Sequence, residues 1–197
     1  MKIERRDLNL LLIVAVVLIA GIGIGYAALS TTMTITFGDV TQSVLTWNVG
    51  FDTTGSPISG TAAGTSATGR TCGTATVTAT TVTVADSQLS KPGDKCTYAL
   101  TIKNTGTIPA ILSTITPTKP SGITCNTATG GNMVCGNITY KLTTDAAGST
   151  VLTTGGTLAA STGTLPVYLV VSYTGTTLNS AAVNHTGASF ALTYDQA

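Results

Sequence analysis

The chain has 197 residues, of which 43% are hydrophobic, 5% aromatic and 9% charged, and its formal net charge is +1. An average soluble domain has about 25% charged residues, so this composition argues against a helical enzyme with a charged surface. It is also too hydrophobic for intrinsic disorder. The basic residues after position 30 are scattered singly, which leaves no basic patch for binding nucleic acid.

The first 28 residues combine a basic start with a long apolar run. Three basic side chains lie within the first six positions, and residues 8–28 are then almost entirely apolar or small. This pattern predicts a secretory signal peptide, residues 1–27, cut between Ala27 and Ala28 with Gly25 at the −3 position. The run is also long enough to span a bilayer, so an uncleaved membrane anchor remains the alternative.

The segment after the expected cut, residues 28–38, alternates strictly between two kinds of side chain. Hydroxyl groups occupy one face, and the other face carries four large apolar side chains and one threonine. That second face consists of Leu29, Thr31, Met33, Ile35 and Phe37. Such a strand needs a sheet and a core to lie against. Because cleavage frees its end, we expect it to fill a groove in a neighbouring copy; pairing within its own subunit is the alternative.

Period-two alternation between turn residues predicts strands in most of the remaining chain. These strands are expected at residues 45–51, 74–85, 98–102, 108–116, 138–142, 165–173 and 190–194. Trp47, at strand period in the first of them, is expected in the core. Strong turn signals lie at residues 91–94 and 104–107.

The segment 52–69 is rich in Gly, Ser, Thr and Ala, and we expect a long exposed loop there. After residue 28 no helical periodicity of useful length occurs, apart from a short turn near residues 179–183. The sequence therefore predicts an all-β protein. Residues 28–197 are expected to form one jelly-roll-like β-sandwich domain, preceded by the apolar N-terminal signal or anchor helix.

The four cysteines, Cys72, Cys96, Cys125 and Cys135, predict two disulfides because an even number follows a secretion signal. Three pairings are possible. Cys125 and Cys135 flank a turn-rich stretch and are expected to bridge a hairpin, which leaves Cys72 to pair with Cys96. A zinc site is the rival interpretation, but the sequence has no CxxC spacing and one histidine.

No catalytic constellation is apparent. A Ser-His-Asp triad would have to use His185, and the acidic residues stand singly, mostly in turns where aspartate stabilises the backbone. Common metalloprotease, phosphate-binding, calcium-binding and hydrolase motifs are missing from the sequence. We therefore expect no enzyme activity, cofactor or metal. Asn137 and Asn184 lie in N-glycosylation sequons and are candidate acceptors.

Three stretches of the sequence, residues 25–32, 46–51 and 89–107, resemble TasA/camelysin-like secreted proteins, which include fibre subunits of biofilm matrices. The resemblance covers about a quarter of the chain, and similar subunits occur in archaeal bundling pili. It implies a jelly-roll subunit, cut by a dedicated signal peptidase, that polymerises by donating its N-terminal strand. The four cysteines and the Thr/Gly-rich loop depart from the family pattern. Metalloprotease activity, ascribed to camelysin relatives, is not carried over because no zinc-binding motif is present.

We therefore expect a secreted structural subunit of extracellular fibres or pili, assembled by donor-strand exchange. Its expected partners are copies of itself and a signal peptidase; nucleic acid is not expected, and a membrane only through an uncleaved N-terminal segment. The alternative is a membrane-tethered cell-surface adhesin or an accessory β-sandwich binding module.

Overall fold

The computed structural model describes residues 45–64, 70–178 and 182–197. The predicted signal peptide, its cut between Ala27 and Ala28, and the predicted donor strand all lie outside these residues. Most of the helical turn predicted near residues 179–183 does as well.

The described residues form thirteen strands and no helix, which confirms the all-β prediction. In chain order they are β1 Val49–Phe51, β2 Ile58–Ser59, β3 Thr61–Ala63, β4 Thr74–Val77, β5 Val82–Val84, β6 Lys95–Asn104, β7 Ala110–Thr118, β8 Cys125–Thr129, β9 Asn132–Cys135, β10 Ile138–Thr143, β11 Thr157–Leu158, β12 Gly163–Tyr173 and β13 Ser189–Gln196.

The largest sheet is built on the antiparallel pair β6 and β12. Their register runs from Asn104 opposite Gly163 to Lys95 opposite Ser172. Strands β10, β9 and β8 follow in order beyond β12. On its other side β6 pairs with β3 near its start and with β1 near its end. Residues of one parity in the central pair form a continuous apolar face of the sheet, among them Tyr98, Leu100, Ile102, Leu165 and Val167.

A three-stranded sheet, β11–β7–β13, covers one end of that face. Its Leu112, Ile115 and Leu158 pack in one cluster with Ile102 of β6 and Val167 of β12, and all five side chains are buried. Leu112 is fully inaccessible to solvent. The main core of the protein therefore lies between this small sheet and the ends of the central pair.

A second three-stranded sheet, β2–β4–β5, covers the other end of the same face. Here Ala75 packs with Cys96 and Tyr98 of β6, and the partly buried Val82 and Val84 contact this cluster. This core is much smaller than the first, so burial of apolar side chains stabilises this sheet less.

Two disulfides join Cys72 to Cys96 and Cys125 to Cys135, which is the pairing expected from the sequence. The first ties the segment before β4 to β6, and the second links β8 and β9 across their hairpin. Disulfides persist in oxidising compartments, so they indicate an extracellular or periplasmic environment.

Three local predictions are wrong. Trp47 is 43% exposed and Leu45 is 66% exposed, because the chain there runs beside the turn after β6, where Thr105 donates a backbone hydrogen bond to Asn48. The segment 52–69 is not simply a loop, since it contains β2 and β3. Residues 74–85 form a hairpin of two strands, β4 and β5, rather than one strand.

Candidate functional site

Strand β13 forms an edge of its sheet. It pairs with β7 on one side, and on the other side no strand of the described residues pairs with it. Its Phe190, Leu192 and Tyr194 are half-buried and pack on the main core, whereas the residues between them are exposed. An open edge of this kind presents backbone N–H and C=O groups to a further strand.

Strand β1 lies opposite, at the edge of the large sheet. Its Val49 and Phe51 pack on the same core as β13. The turn between β4 and β5 closes in here, because Phe51 donates a backbone hydrogen bond to the Ala79 carbonyl at 2.8 Å. A Cβ on Gly50 would lie 2.5 Å from that carbonyl oxygen, so glycine is needed for this approach.

Between β1 and β13 the core opens into a groove of about 190 Å³. We call it the edge groove. It is lined by Val49, Gly50, Phe51, Ala79, Thr80, Ile102, Leu192 and Tyr194. Most of these side chains are apolar, and Ile102 is itself a buried core residue. The groove is therefore a mostly apolar recess at the edge of the core of the described residues.

Tyr194, which lines the edge groove, carries a polar hydroxyl group. Its Oη is buried and has no hydrogen-bond partner in the part of the chain that the structure describes. Burial raises the pKa of Tyr194 to about 12, so the phenol is neutral at physiological pH. A buried hydroxyl without a partner costs free energy, and a ligand in the groove could recover it by offering a hydrogen bond.

Stability should fall in strong alkali. Burial raises the pKa of both Tyr140 and Tyr194 from 10.0 to about 12, so the unfolded chain loses these protons at lower pH than the folded chain. The protonated tyrosines therefore contribute fully to the free energy of unfolding below pH 10, and this contribution is lost as the pH rises from 10 towards 12. Allowing for solvent screening, we expect a loss of about 1–2 kcal/mol from each tyrosine.

Urea unfolding of the wild-type chain and of Tyr194→Phe at pH 8 to 11.5 measures this loss. The variant should lose less stability than the wild type over the alkaline range, because one of the tyrosines whose pKa burial raises (Tyr98, Tyr140 and Tyr194) is gone. Identical alkaline slopes for the two proteins would contradict the assignment to Tyr194.

His185 lines a second groove, of about 250 Å³, together with Gly122, Ile123, Thr124, Gly136, Asn137 and Val183. Its ring centroid is 6.0 Å from that of Tyr140, and burial lowers its pKa, which favours the neutral imidazole. In the described ranges no group of three His, Cys, Asp or Glu side chains is arranged to hold a metal ion. The lining of this groove includes no carboxylate that could orient the imidazole.

Three aspartates bind backbone N–H groups, and two of them, Asp52 and Asp94, also pair with a basic side chain. Asp94 is fully buried and accepts backbone hydrogen bonds from Ser90 and Lys91 at 3.0 and 2.9 Å. Asp145 accepts two from the loop that follows it, and these bonds lower its pKa. The hydrogen bond from Lys103 lowers the pKa of Asp52 to about 2. These carboxylates hold turns and strands, as the sequence interpretation suggested.

The two sequons differ in accessibility. The Asn137 amide donates a hydrogen bond to the Tyr173 hydroxyl at 3.1 Å, and a Cβ on Gly175 would collide with the Asn137 side chain. Asn184 is exposed. Asn184 is therefore the more accessible of the two candidate acceptors, whereas Asn137 is half-buried and its amide is engaged in this hydrogen bond.

The edge groove could not have been identified from the sequence, although its strands were predicted. Its two walls are separated by about 140 residues, and only the sheet topology brings β1 and β13 to the same opening. The one signal in the sequence is the alternation of β13 itself, whose Phe190, Leu192 and Tyr194 define an apolar face. The predicted donor residues Leu29, Thr31, Met33, Ile35 and Phe37 lie outside the described residues.

No protein-family model, curated protein or solved structure matches this chain. Over the described ranges, the structure contains no helix of the length and apolarity needed to cross a membrane.

Proposed function

We propose that this protein is a secreted structural subunit that polymerises outside the cell, each copy inserting its N-terminal segment into the edge groove of the next. The observation that carries the proposal is the apolar edge groove beside β13, a strand that pairs on one side only among the described residues. In this proposal the three sheets act as a jelly-roll-like sandwich that lacks one strand, and residues 28–38 of a neighbouring copy supply it.

The chemistry of the groove suits a strand better than a compact ligand. Its lining is mostly apolar, and the adjoining strand edge offers a row of backbone hydrogen-bonding groups, the arrangement used in strand addition. Burying four large apolar side chains stabilises the contact by about 6–12 kcal/mol before ordering costs. Fixing about ten backbone residues costs at least about 10 kcal/mol, so the backbone ladder along β13 has to contribute as well.

The contact joins two different surfaces, the N-terminal segment of one copy and the groove of another. A head-to-tail contact of this type does not close on itself and generates a filament. Charge does not oppose it, because residues 28–197 contain six acidic and six basic side chains. A neutral subunit has little electrostatic repulsion towards its own copies.

A complementation experiment tests the proposal. A donor-defective variant carries Ile35→Asp and Phe37→Asp, and an acceptor-defective variant carries Leu192→Asp in the groove. Neither should form fibres alone. Mixed together, they should give a 1:1 heterodimer, because the intact segment of the acceptor-defective chain can still enter the intact groove of the donor-defective chain. Size-exclusion chromatography with light scattering measures the product, and electron microscopy scores the fibres.

Ala191→Asp is the matched control, since it places the same charge on the exposed face of β13 and should leave fibres intact. Normal fibres from either defective variant would refute strand exchange. If the wild-type chain keeps residues 1–27 and stays monomeric, the membrane-tethered binding module becomes the better description.

A further inference from the structure

Tyr194 carries a buried hydroxyl and lines a groove whose side chains are mostly apolar. It lies near the end of β13, and its Oη has no partner among the residues that the structure places. A segment that fills the groove with apolar side chains alone would exclude water and leave this hydroxyl unpaired, which is unfavourable. The preferred occupant therefore carries one hydrogen-bonding group at the matching position.

The predicted donor face has one such group. Its other members, Leu29, Met33, Ile35 and Phe37, are apolar, and Thr31 supplies a single hydroxyl. We propose that Thr31 of a neighbouring copy forms the missing hydrogen bond to Tyr194 Oη and thereby fixes the donor segment antiparallel to β13. This inference rests on the proposed function and specifies its register.

The direction follows from the positions of the two hydroxyls. Tyr194 is the last inward residue of β13, after Phe190 and Leu192, whereas Thr31 lies near the start of the donor face. An antiparallel donor that places Thr31 beside Tyr194 runs back along β13, so that its remaining apolar residues cover the apolar part of that strand.

A parallel donor with Thr31 opposite Tyr194 would instead place Met33 opposite Gln196, the last residue of β13, and would carry Ile35 and Phe37 past the end of that strand. Those three side chains would then lose their apolar surroundings. A tyrosine side chain reaches a cross-strand neighbour directly opposite or one diagonal step away. In the antiparallel arrangement with Thr31 one diagonal step from Tyr194, Met33, Ile35 and Phe37 lie opposite Tyr194, Leu192 and Phe190.

A double-mutant cycle in the full-length chain tests the pair. We compare the wild type with Thr31→Val, Tyr194→Phe and the double variant, and measure the critical concentration for fibre assembly. Each single change leaves one buried hydroxyl unpaired, so each should raise the critical concentration about 5- to 10-fold. The double variant should resemble a single variant, because its two hydroxyls are removed together.

Thr32→Val, on the hydroxyl face of the donor, and Tyr168→Phe, on the opposite face of the large sheet, are matched controls and should change the critical concentration less than 2-fold. Fibres whose assembly is unchanged in both single variants, or single effects that multiply in the double variant, would overturn the inference while leaving strand exchange standing. Failure of the wild type to form fibres, together with failure of the complementation mixture, would reject the proposed function and this pair with it.

A photo-crosslink measures the direction separately. A benzoylphenylalanine placed at position 37 should attach to residues 188–192 of the neighbouring copy, located by tandem mass spectrometry. Attachment to Gln196 or Ala197, or to no residue of β13 in fibres that assemble normally, would overturn the inference.

Discussion

Replacing Asn104 by alanine should lower the free energy of unfolding by about 3–5 kcal/mol. The side chain is 1% exposed and organises the turn after β6. Its amide donates to the carbonyls of Ile108 and Leu158 at 2.8 and 3.4 Å, and its Oδ1 accepts from the Gly106 N–H at 3.0 Å. Alanine leaves all three backbone groups without this partner and also opens a small cavity.

Urea denaturation followed by circular dichroism measures the effect. Asn126→Ala in β8, where the side chain is exposed, is the matched control and should change stability by less than about 0.5 kcal/mol. A loss below about 1 kcal/mol for Asn104→Ala would show that water or a rearranged turn replaces the network.

Removing the Cys72–Cys96 disulfide, by changing both residues to serine, should lower the free energy of unfolding by about 3 kcal/mol. The two cysteines are 24 positions apart, and closing a loop of that length restricts the unfolded chain by about this amount. The destabilisation should also be confined mainly to the sheet β2–β4–β5. The sheet β2–β4–β5 has a small core, in which Cys96 is one of three fully buried residues, so the variant should expose its amides to hydrogen exchange.

The Cys125–Cys135 disulfide provides the comparison. It spans 10 positions, so its removal should cost slightly less, about 2–3 kcal/mol. It lies in the β8–β9 hairpin, and its loss should leave exchange in β2–β4–β5 unchanged. Equal exchange patterns in the two variants would contradict the view that the first disulfide specifically secures the small sheet.

The strands that could be predicted from the sequence are those with a solvent face and a core face. In β6, β12 and β13 the period-two alternation survives because each strand lies over the core on one side. Leu45 and Trp47 share that alternation, yet they are exposed, because nothing in their spacing shows where the partner strand ends. Local periodicity indicates that a segment is suited to a half-buried strand. Whether the segment forms one depends on whether a partner strand lies beside it in the folded chain.

The β4–β5 hairpin illustrates another limit. Residues 74–85 contain neither glycine nor proline, so no turn signal divides them. The turn is instead made by threonines: the Thr78 hydroxyl accepts a hydrogen bond from the Thr81 N–H at 2.9 Å, and the two hydroxyls lie 2.7 Å apart.

The cysteine pairing was easier to anticipate, because a short turn-rich loop favours one of only three connectivities.

The central pair β6 and β12 joins residues roughly 60 to 80 positions apart, and such distant pairing delays folding until much of the chain is available. The edge groove also needs distant parts of the chain, since its walls are the first and the last strands that the structure describes. A copy in which β1 and β13 are not both in place lacks this groove. The assembly that we propose would therefore exclude incompletely folded subunits from the filament, because only a folded subunit has the groove that accepts the donor segment of the next copy.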